Sequence, residues 1–233
     1  MKWWQRLAVA LVVVVGCSQD ATAQLSPELT ARLEKASAVL HEVMSIPDKK
    51  IPGDLLARTY AVAVFPGVVK GAFFVGGRVG KGVMSVRRES DGQWSPPAFF
   101  TMGGASFGFQ FGAQVTDLIL LVMTRGGVDS LLRSKVTLGG DLSVAAGPLG
   151  RRGEAGIDLR LKAEILSYSR TKGLFAGISV EGATIFADAD ANQEMYTRGF
   201  TAREILLGGQ VATPDAAKTF VSTLGKYAPP ETR

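Results

Sequence analysis

The sequence predicts an α+β fold: a Gly-rich, mostly antiparallel β-sheet, arranged as a sandwich or a barrel-like core, with an N-terminal helix and C-terminal helices. Three observations predict it. Apolar residues recur at helical spacing only towards the two ends of the chain. The long middle is cut by glycines into segments that alternate with a period of two. The order helix, strands, helices lacks the βαβα alternation of a doubly wound sheet.

The elements follow in order. Ser26-Pro27-Glu28 starts a helix, with Ser as N-cap, Pro at the first position and an acid in the first turn. Leu29, Leu33, Ala36, Leu40 and Val43 give it one apolar stripe to about Met44. Pro47 and Pro52-Gly53 break it, and a shorter helix passes through Leu55-Leu56. AVAVF from Ala61 reads as a strand that stops at Pro66-Gly67, followed by GAFFVGG, GVMSVRR, PAFFTMG and ASFGFQFGAQ. In the last of these Phe107, Phe109 and Phe111 alternate with small or polar residues, as a strand requires. DLILLVMT from Asp117 is apolar after its first residue and suits a central strand covered on both faces. A helical turn around Val128, Leu131 and Leu132 separates it from VTLGGDLSVAAG and GIDLRLKAEI. GLFAGISVEGATIFAD reads as a hairpin turning at Glu181-Gly182. Thr201 and Glu204 form a capping box, and Thr213-Pro214-Asp215 opens a last helix bearing Ala217, Phe220, Val221 and Leu224.

The N-terminus predicts export. Lys2 and Arg6 precede the apolar run Leu7 to Gly16, which is shorter than the roughly 20 residues needed to span a bilayer. Residues 1–23 therefore read as a signal peptide, and 24–233 as one domain. Two cleavage sites compete. Val14-Val15-Gly16-Cys17 resembles a lipobox, in which Cys17 is lipidated and becomes the mature N-terminus; Ala21-Thr22-Ala23 is an A-x-A site for cleavage after Ala23. The lipoprotein reading is favoured, because the only cysteine sits where the lipid would attach, and it places the chain in the periplasm or cell envelope, anchored at the outer membrane. With no cysteine beyond Cys17, the domain has no internal disulfide and no thiolate metal site.

Charge is uneven. Residues 70–172 carry 14 Lys and Arg against 8 Asp and Glu, whereas 24–69 balance at 5 each and 173–233 hold 5 against 7. Outside the cytoplasm a basic middle is suited to anionic lipid rather than nucleic acid.

Gly104-Ala105-Ser106-Phe107-Gly108 spells G-x-S-x-G, but that motif needs a strand-to-helix turn at the serine and a histidine after it. The one histidine, His41, lies upstream in the first helix, and the residues after Ser106 continue a strand pattern. A Ser-dependent esterase is thus a remote alternative. At Gly80-Lys81 a P-loop would need Gly where Val75 stands and Ser or Thr where Gly82 stands. No cofactor, metal or catalytic residue is expected, and the chain reads as a non-enzyme.

Four stretches together carry a resemblance: residues 61–83, 92–123, 138–151 and 165–182, among them AVAVFPGVVKGAFFVGGRVGKGV and GQWSPPAFFTMGGASFGFQFGAQVTDLILLVM. They are similar, in order, to the SYLF-domain family of actin-patch, phosphoinositide-binding and bacterial secreted proteins. The resemblance implies a non-enzymatic lipid-binding domain. Eukaryotic members owe membrane binding to basic surface residues and an N-terminal amphipathic segment, beside a separate SH3 or FYVE domain. For a secreted chain without such a partner domain, anionic phospholipid is a more natural partner than actin or a phosphoinositide. By match to the family blocks, the cationic positions carried over are Lys70, Arg78, Lys81, Arg151, Arg170 and Lys172. Arg78 and Lys81, or Arg170 and Lys172, are expected to project beside an apolar face of Phe73, Phe74, Phe175 and Ile178. The competing reading is an envelope structural or assembly protein that binds a protein partner through its Phe-rich strands.

Overall fold

The computed structural model describes residues 26–46, 50–73, 75–106, 112–150, 163–171, 173–178 and 180–229. The helices are α1 (Pro27–Ser45), α2 (Gly53–Ala57), α3 (Arg125–Leu131), α4 (Ala189–Tyr196), α5 (Ala202–Leu207) and α6 (Asp215–Tyr227). The strands are β1 (Ala61–Phe73), β2 (Val75–Val86), β3 (Ala98–Ser106), β4 (Gly112–Val122), β5 (Val136–Thr137), β6 (Val144–Ala146), β7 (Ile165–Thr171), β8 (Leu174–Gly177) and β9 (Thr184–Ala187). The α+β order and the helices at both ends are as the sequence predicts. The capping box of α5 is present, with Glu204 N–H donating to Thr201 Oγ1 and Thr201 N–H donating to Glu204. Ser26 precedes α1 in the N-cap position, yet its side chain caps nothing; its backbone N–H donates to Glu194 Oε1 at 2.8 Å.

Among the described residues the strands form one sheet in the order β5-β9-β3-β2-β1-β4-β7-β6. One edge of β7 is shared end to end: residues 165–167 pair with β6 and residues 168–171 with β8. Only the β6–β7 pair is parallel among those described.

The inner ends of the central strands are buried on both faces. Ala61 to Phe65 of β1 and Leu118 to Val122 of β4 are each at most 3% exposed. A strand buried on both sides reads as a continuous apolar run, and DLILLV does. One face carries α1, whose Arg32 sits over the ring of Phe99 at 5.2 Å and whose buried stripe includes Leu29, Leu33, Ala36, Leu40 and Val43. The other face is closed by α3, against which Val122 packs so tightly that a Cβ on Gly127 would meet it at 2.9 Å. There, too, Phe65 lies flat over β2: a Cβ on Gly82 would meet its ring at 2.5 Å, so glycine is required by the close approach.

Two expectations need correction. Pro66-Gly67 does not end the first strand. The β1 ladder shifts register there against both neighbours, between Phe65 and Val68 on the β4 side and between Val64 and Val69 on the β2 side, and then runs on to Phe73. Pro66 lacks an N–H and is tolerated in a central strand at such a bulge; Gly67 supplies the positive φ of 63°. The second correction concerns 174–187. Glu181-Gly182 turns the chain, but β8 and β9 do not pair with each other: β8 pairs with β7, and β9 with β3 and β5. The hairpin lies one element earlier, β7 to β8, turning through Gly173 at φ 78°. The chain then crosses from one end of the strand order to the other between Gly177 and Thr184. A segment that short reaches at most about 25 Å. The sheet must therefore curl into a half-barrel whose edges approach.

The signal peptide with Cys17, Arg151, Lys172, Phe74, Phe107, Phe109, Phe111 and most of GIDLRLKAEI lie outside the described residues.

Candidate functional site

The bulge divides the sheet into two halves of different chemistry. At the boundary, Gly67 N–H donates to Asp117 Oδ1 at 2.9 Å, and Arg170 donates to Asp117 Oδ2 through Nε at 2.9 Å and Nη2 at 2.7 Å. Arg170 also pairs with Glu42 of α1. At the other end of α1, Lys81 donates to Glu28 at 2.9 Å, and Arg32 joins the same carboxylate at 2.9 Å. The hydrogen bond from Lys81, then that from Arg32, holds the Glu28 carboxyl below its ordinary pKa. These contacts place Lys81, Asp117 and Arg170 on the face that carries α1.

α1 thus crosses the strands along this boundary, and beyond it the sheet continues. The registers Val69↔Val79 and Val69↔Val115 set three valines side by side across β2, β1 and β4, on the same face as Lys81 and Asp117. They are 58% (Val79), 42% (Val69) and 60% (Val115) exposed. Three adjacent β-branched residues left open to water form a contiguous apolar row, which isolated surface hydrophobes do not. The opposite face of the same strands carries Lys70 and Arg78, directly paired in register, and then Gln114. From Pro66 to Gly82 and from Thr101 to Thr116 the sequence holds the cations Lys70, Arg78 and Lys81 and no Asp or Glu.

The expected site residues are thus divided. Lys70 and Arg78 come together on one face. Lys81 lies on the other face from Arg78, as a spacing of three along a strand dictates, and is ion-paired with Glu28. Arg170 is half-buried and bound into the Asp117 network. Phe175 is buried and stacks on Tyr168 with ring centroids 5.4 Å apart, so it belongs to the core. Phe99 is fully buried as well. The valine row was not singled out from the sequence. Its members stand in VVKGAF, GRVGKG and AQVTD, each next to a polar residue, and only the strand register brings them together.

Among the described residues, concavities also lie elsewhere. One, of about 330 Å³, is lined by Tyr60, Arg88, Glu89, Arg125, Asp129 and Arg203 among others. Its cations are occupied: Arg125 pairs with Glu89, Arg203 with Asp129 and Arg88 with Asp91. Another, about 350 Å³, is a groove between α1 and α6 where His41 Nδ1 meets the Tyr227 hydroxyl. Among the described residues no cluster of His, Cys, Asp or Glu is placed to hold a metal ion. Ser106 is the last described residue of β3, paired with Gly76, and the next described element is the strand β4.

Residues 103–227, more than half of the chain, match the family model described as Ysc84, Las17-binding protein actin regulator. The chain belongs to the Ysc84 (SYLF-domain) family. Relatives agree. An SH3 domain-containing protein of Schizosaccharomyces pombe is 42% identical over 170 residues, 72% of this chain and 39% of that protein. LAS seventeen-binding protein 3 of Saccharomyces cerevisiae is 40% identical over 184 residues, 78% of this chain and 39% of its own length. Human SH3 domain-containing YSC84-like protein 1 is 36% identical over 186 residues, 77% of this chain and 54% of its own. The chain therefore spans roughly half or less of each of these relatives. The Ysc84 family match runs from Gly103 in β3 to the end of α6 and includes Asp117 and Arg170; Lys70 and Arg78 precede it.

The boundary network predicts a stability hierarchy. Asp117→Ala removes the acceptor of Gly67 and one partner of a half-buried guanidinium, and should destabilise by ~1–3 kcal/mol in urea denaturation. Lys81→Ala, which breaks an exposed pair, should cost less than about 1 kcal/mol. Equal small effects for both would contradict the assignment of the boundary to Asp117.

Proposed function

We propose that this chain is an extracytoplasmic, non-enzymatic lipid-binding protein that meets anionic phospholipid with the outer half of its sheet. The observation that carries the reading is the composition of that half: an exposed valine row on one face, Lys70 and Arg78 on the other, and no carboxylate on the four strands beyond Asp117. A headgroup layer is anionic at its surface and apolar beneath it, and this half of the sheet offers both complements. Each Lys or Arg near such a surface contributes about 1 kcal/mol, within a Debye length of roughly 8 Å at physiological salt. Each valine drawn from water contributes up to about 1.5 kcal/mol more.

The names of the relatives support a second reading. The family model is described as Las17-binding and actin-regulating, and LAS seventeen-binding protein 3 is named for a protein partner. An envelope assembly protein using the same valine row on another protein is the alternative. These descriptions name binding and regulation rather than a reaction.

Vesicle co-sedimentation separates the readings. Phosphatidylglycerol or cardiolipin vesicles should bind more tightly than phosphatidylcholine, and less so as salt rises. Replacing Val69, Val79 and Val115 together by Ser should weaken binding about tenfold or more without unfolding the protein. Equal, salt-insensitive binding to neutral and anionic vesicles would refute the electrostatic part, and no binding to either would favour the protein partner. The envelope location is tested separately. Cys17→Ala should move the protein from the membrane fraction to the soluble fraction, since one acyl chain contributes about 0.8 kcal/mol per buried CH₂. A mature protein beginning at Gln24 by mass spectrometry would exclude the lipid anchor.

A further inference from the structure

Among the described residues, two buried side-chain polar atoms have no hydrogen-bond partner: Arg78 Nη1 and Ser85 Oγ. The hydroxyl is neutral, and its cost is small. The guanidinium is another matter: Arg78 is half-buried with Nη1 enclosed, it stays charged at any physiological pH, and an enclosed charged N–H without an acceptor carries a desolvation cost.

The other inward-turned arginines show how this protein ordinarily satisfies such a group. Arg32 binds Asp188 at 3.0 Å and Glu28 at 2.9 Å and lies over Phe99. Arg87 donates to the backbone carbonyls of Leu56, Thr59, Gly92 and Ala228 and covers the Trp94 ring at 4.5 Å. Arg170 holds Asp117 and Glu42. Among the described residues Arg78 has neither a carboxylate nor a carbonyl as partner. Burial lowers its pKa, with no opposing partner to restore it.

Its surroundings make the deficit worse. The residue directly opposite across the β1–β2 pair is Lys70, also cationic, and like charges facing each other on one sheet face repel. Along β2 the flanking residues on that face are Gly76 and Gly80, and across the β2–β3 pair stands Gly104, so none of these three neighbours has a side chain to answer the charge. Glu181, in the turn over Gly104, packs its side chain against Gly139 and forms no ion pair with Arg78 among the described residues. Two cations side by side, one with an enclosed N–H free to donate, on a patch of glycine backbone, form an electropositive, donor-rich surface suited to an oxyanion.

We propose that Arg78, with Lys70 opposite it, is a binding site for the phosphate group of a phosphate ester. The guanidinium fork suits a tetrahedral oxyanion, and the lysine supplies a second charge at the same position. The proposal deepens the lipid-binding reading by naming the two residues that would take the headgroup. The site itself stands on the unpaired charge and would also serve a soluble phosphate ester.

The test uses the purified protein, with sodium phosphate, glycerol 3-phosphate and phosphatidylglycerol vesicles as probes and sodium chloride at matched ionic strength as reference. Phosphate or glycerol 3-phosphate should raise the melting temperature of the wild type above its value in chloride, and Arg78→Gln should abolish that rise. Arg78→Gln should itself melt no lower than the wild type in chloride, because it removes an uncompensated charge; a merely structural arginine would lose stability. Its affinity for phosphatidylglycerol vesicles should fall about tenfold, the effect of one charge-assisted hydrogen bond. A response to both soluble esters and vesicles assigns the site to phosphate from either source. A response to vesicles only assigns it to a headgroup held in a bilayer. If Arg78→Gln does not fold, Arg78→Lys takes its place and should show a severalfold loss. A folded variant at Arg78 that responds to phosphate and to vesicles as the wild type does would overturn the proposal, as would a wild type unresponsive to all three probes. If phosphate raises the melting temperature of the wild type alone while anionic and neutral vesicles bind equally, the lipid-binding reading fails and the site stands.

Discussion

Asp117 accepts the N–H of Gly67 through one carboxylate oxygen and the Arg170 guanidinium through the other, and Arg170 continues to Glu42 on α1. One side chain thereby joins the bulge of β1 to β4, β7 and the first helix. The bulge lets Phe65 and Val68 both turn to the face opposite α1, so the apolar layer there is unbroken although the ladder skips a residue. Without a fixed point at this position the register of β1 beyond Gly67 would be free to slip by one. Such a slip would exchange the valine row for Lys70 and its neighbours.

The sheet's two ends then divide the work. The inner end is buried on both sides and supplies the stability; its strands are continuous apolar runs because no face is left for polar residues. Among the described residues the outer end has no helix over the face that carries the valine row, and it has glycine at Gly71, Gly76, Gly77, Gly80, Gly103 and Gly104. Such a half-sheet gains little from burial and depends on the inner end to hold it in register. Protein surfaces that contribute little to folding are where binding chemistry can be placed at small cost.

Much of this was legible in the sequence, and the failures have physical causes. The helices were found because a stripe of Leu29, Leu33, Ala36, Leu40 and Val43, or a Thr201–Glu204 capping box, is a local signal. Pro66-Gly67 was read as a break because both residues usually end a strand; whether a Pro-Gly pair ends or bulges a strand depends on the neighbours that accept the shifted ladder, here β2 and β4, and these are distant in sequence. The 174–187 segment has the alternation and the turn of a hairpin, yet its two arms pair with opposite ends of a curled sheet, which only closure of the half-barrel determines. The cations were found by charge and by family block. Their roles were not, since pairing with Glu28, Asp117 or Glu42 separates Lys81 and Arg170 from Lys70 and Arg78, and no spacing reveals it.

The central claim, that the outer half of the sheet is the surface that meets lipid, is tested most directly by depth-dependent fluorescence quenching. An environment-sensitive probe would be placed at Val79→Cys or, as a comparison, at Leu207→Cys, each on a Cys17→Ser background; both positions are exposed, at 58% and 44%, and Leu207 lies on α5, closing the face opposite α1. On adding phosphatidylglycerol vesicles with quenchers in the upper acyl region, the account predicts a blue shift and quenching at Val79 and no change at Leu207. Quenching at Leu207 with none at Val79, or equal quenching at both, would contradict it.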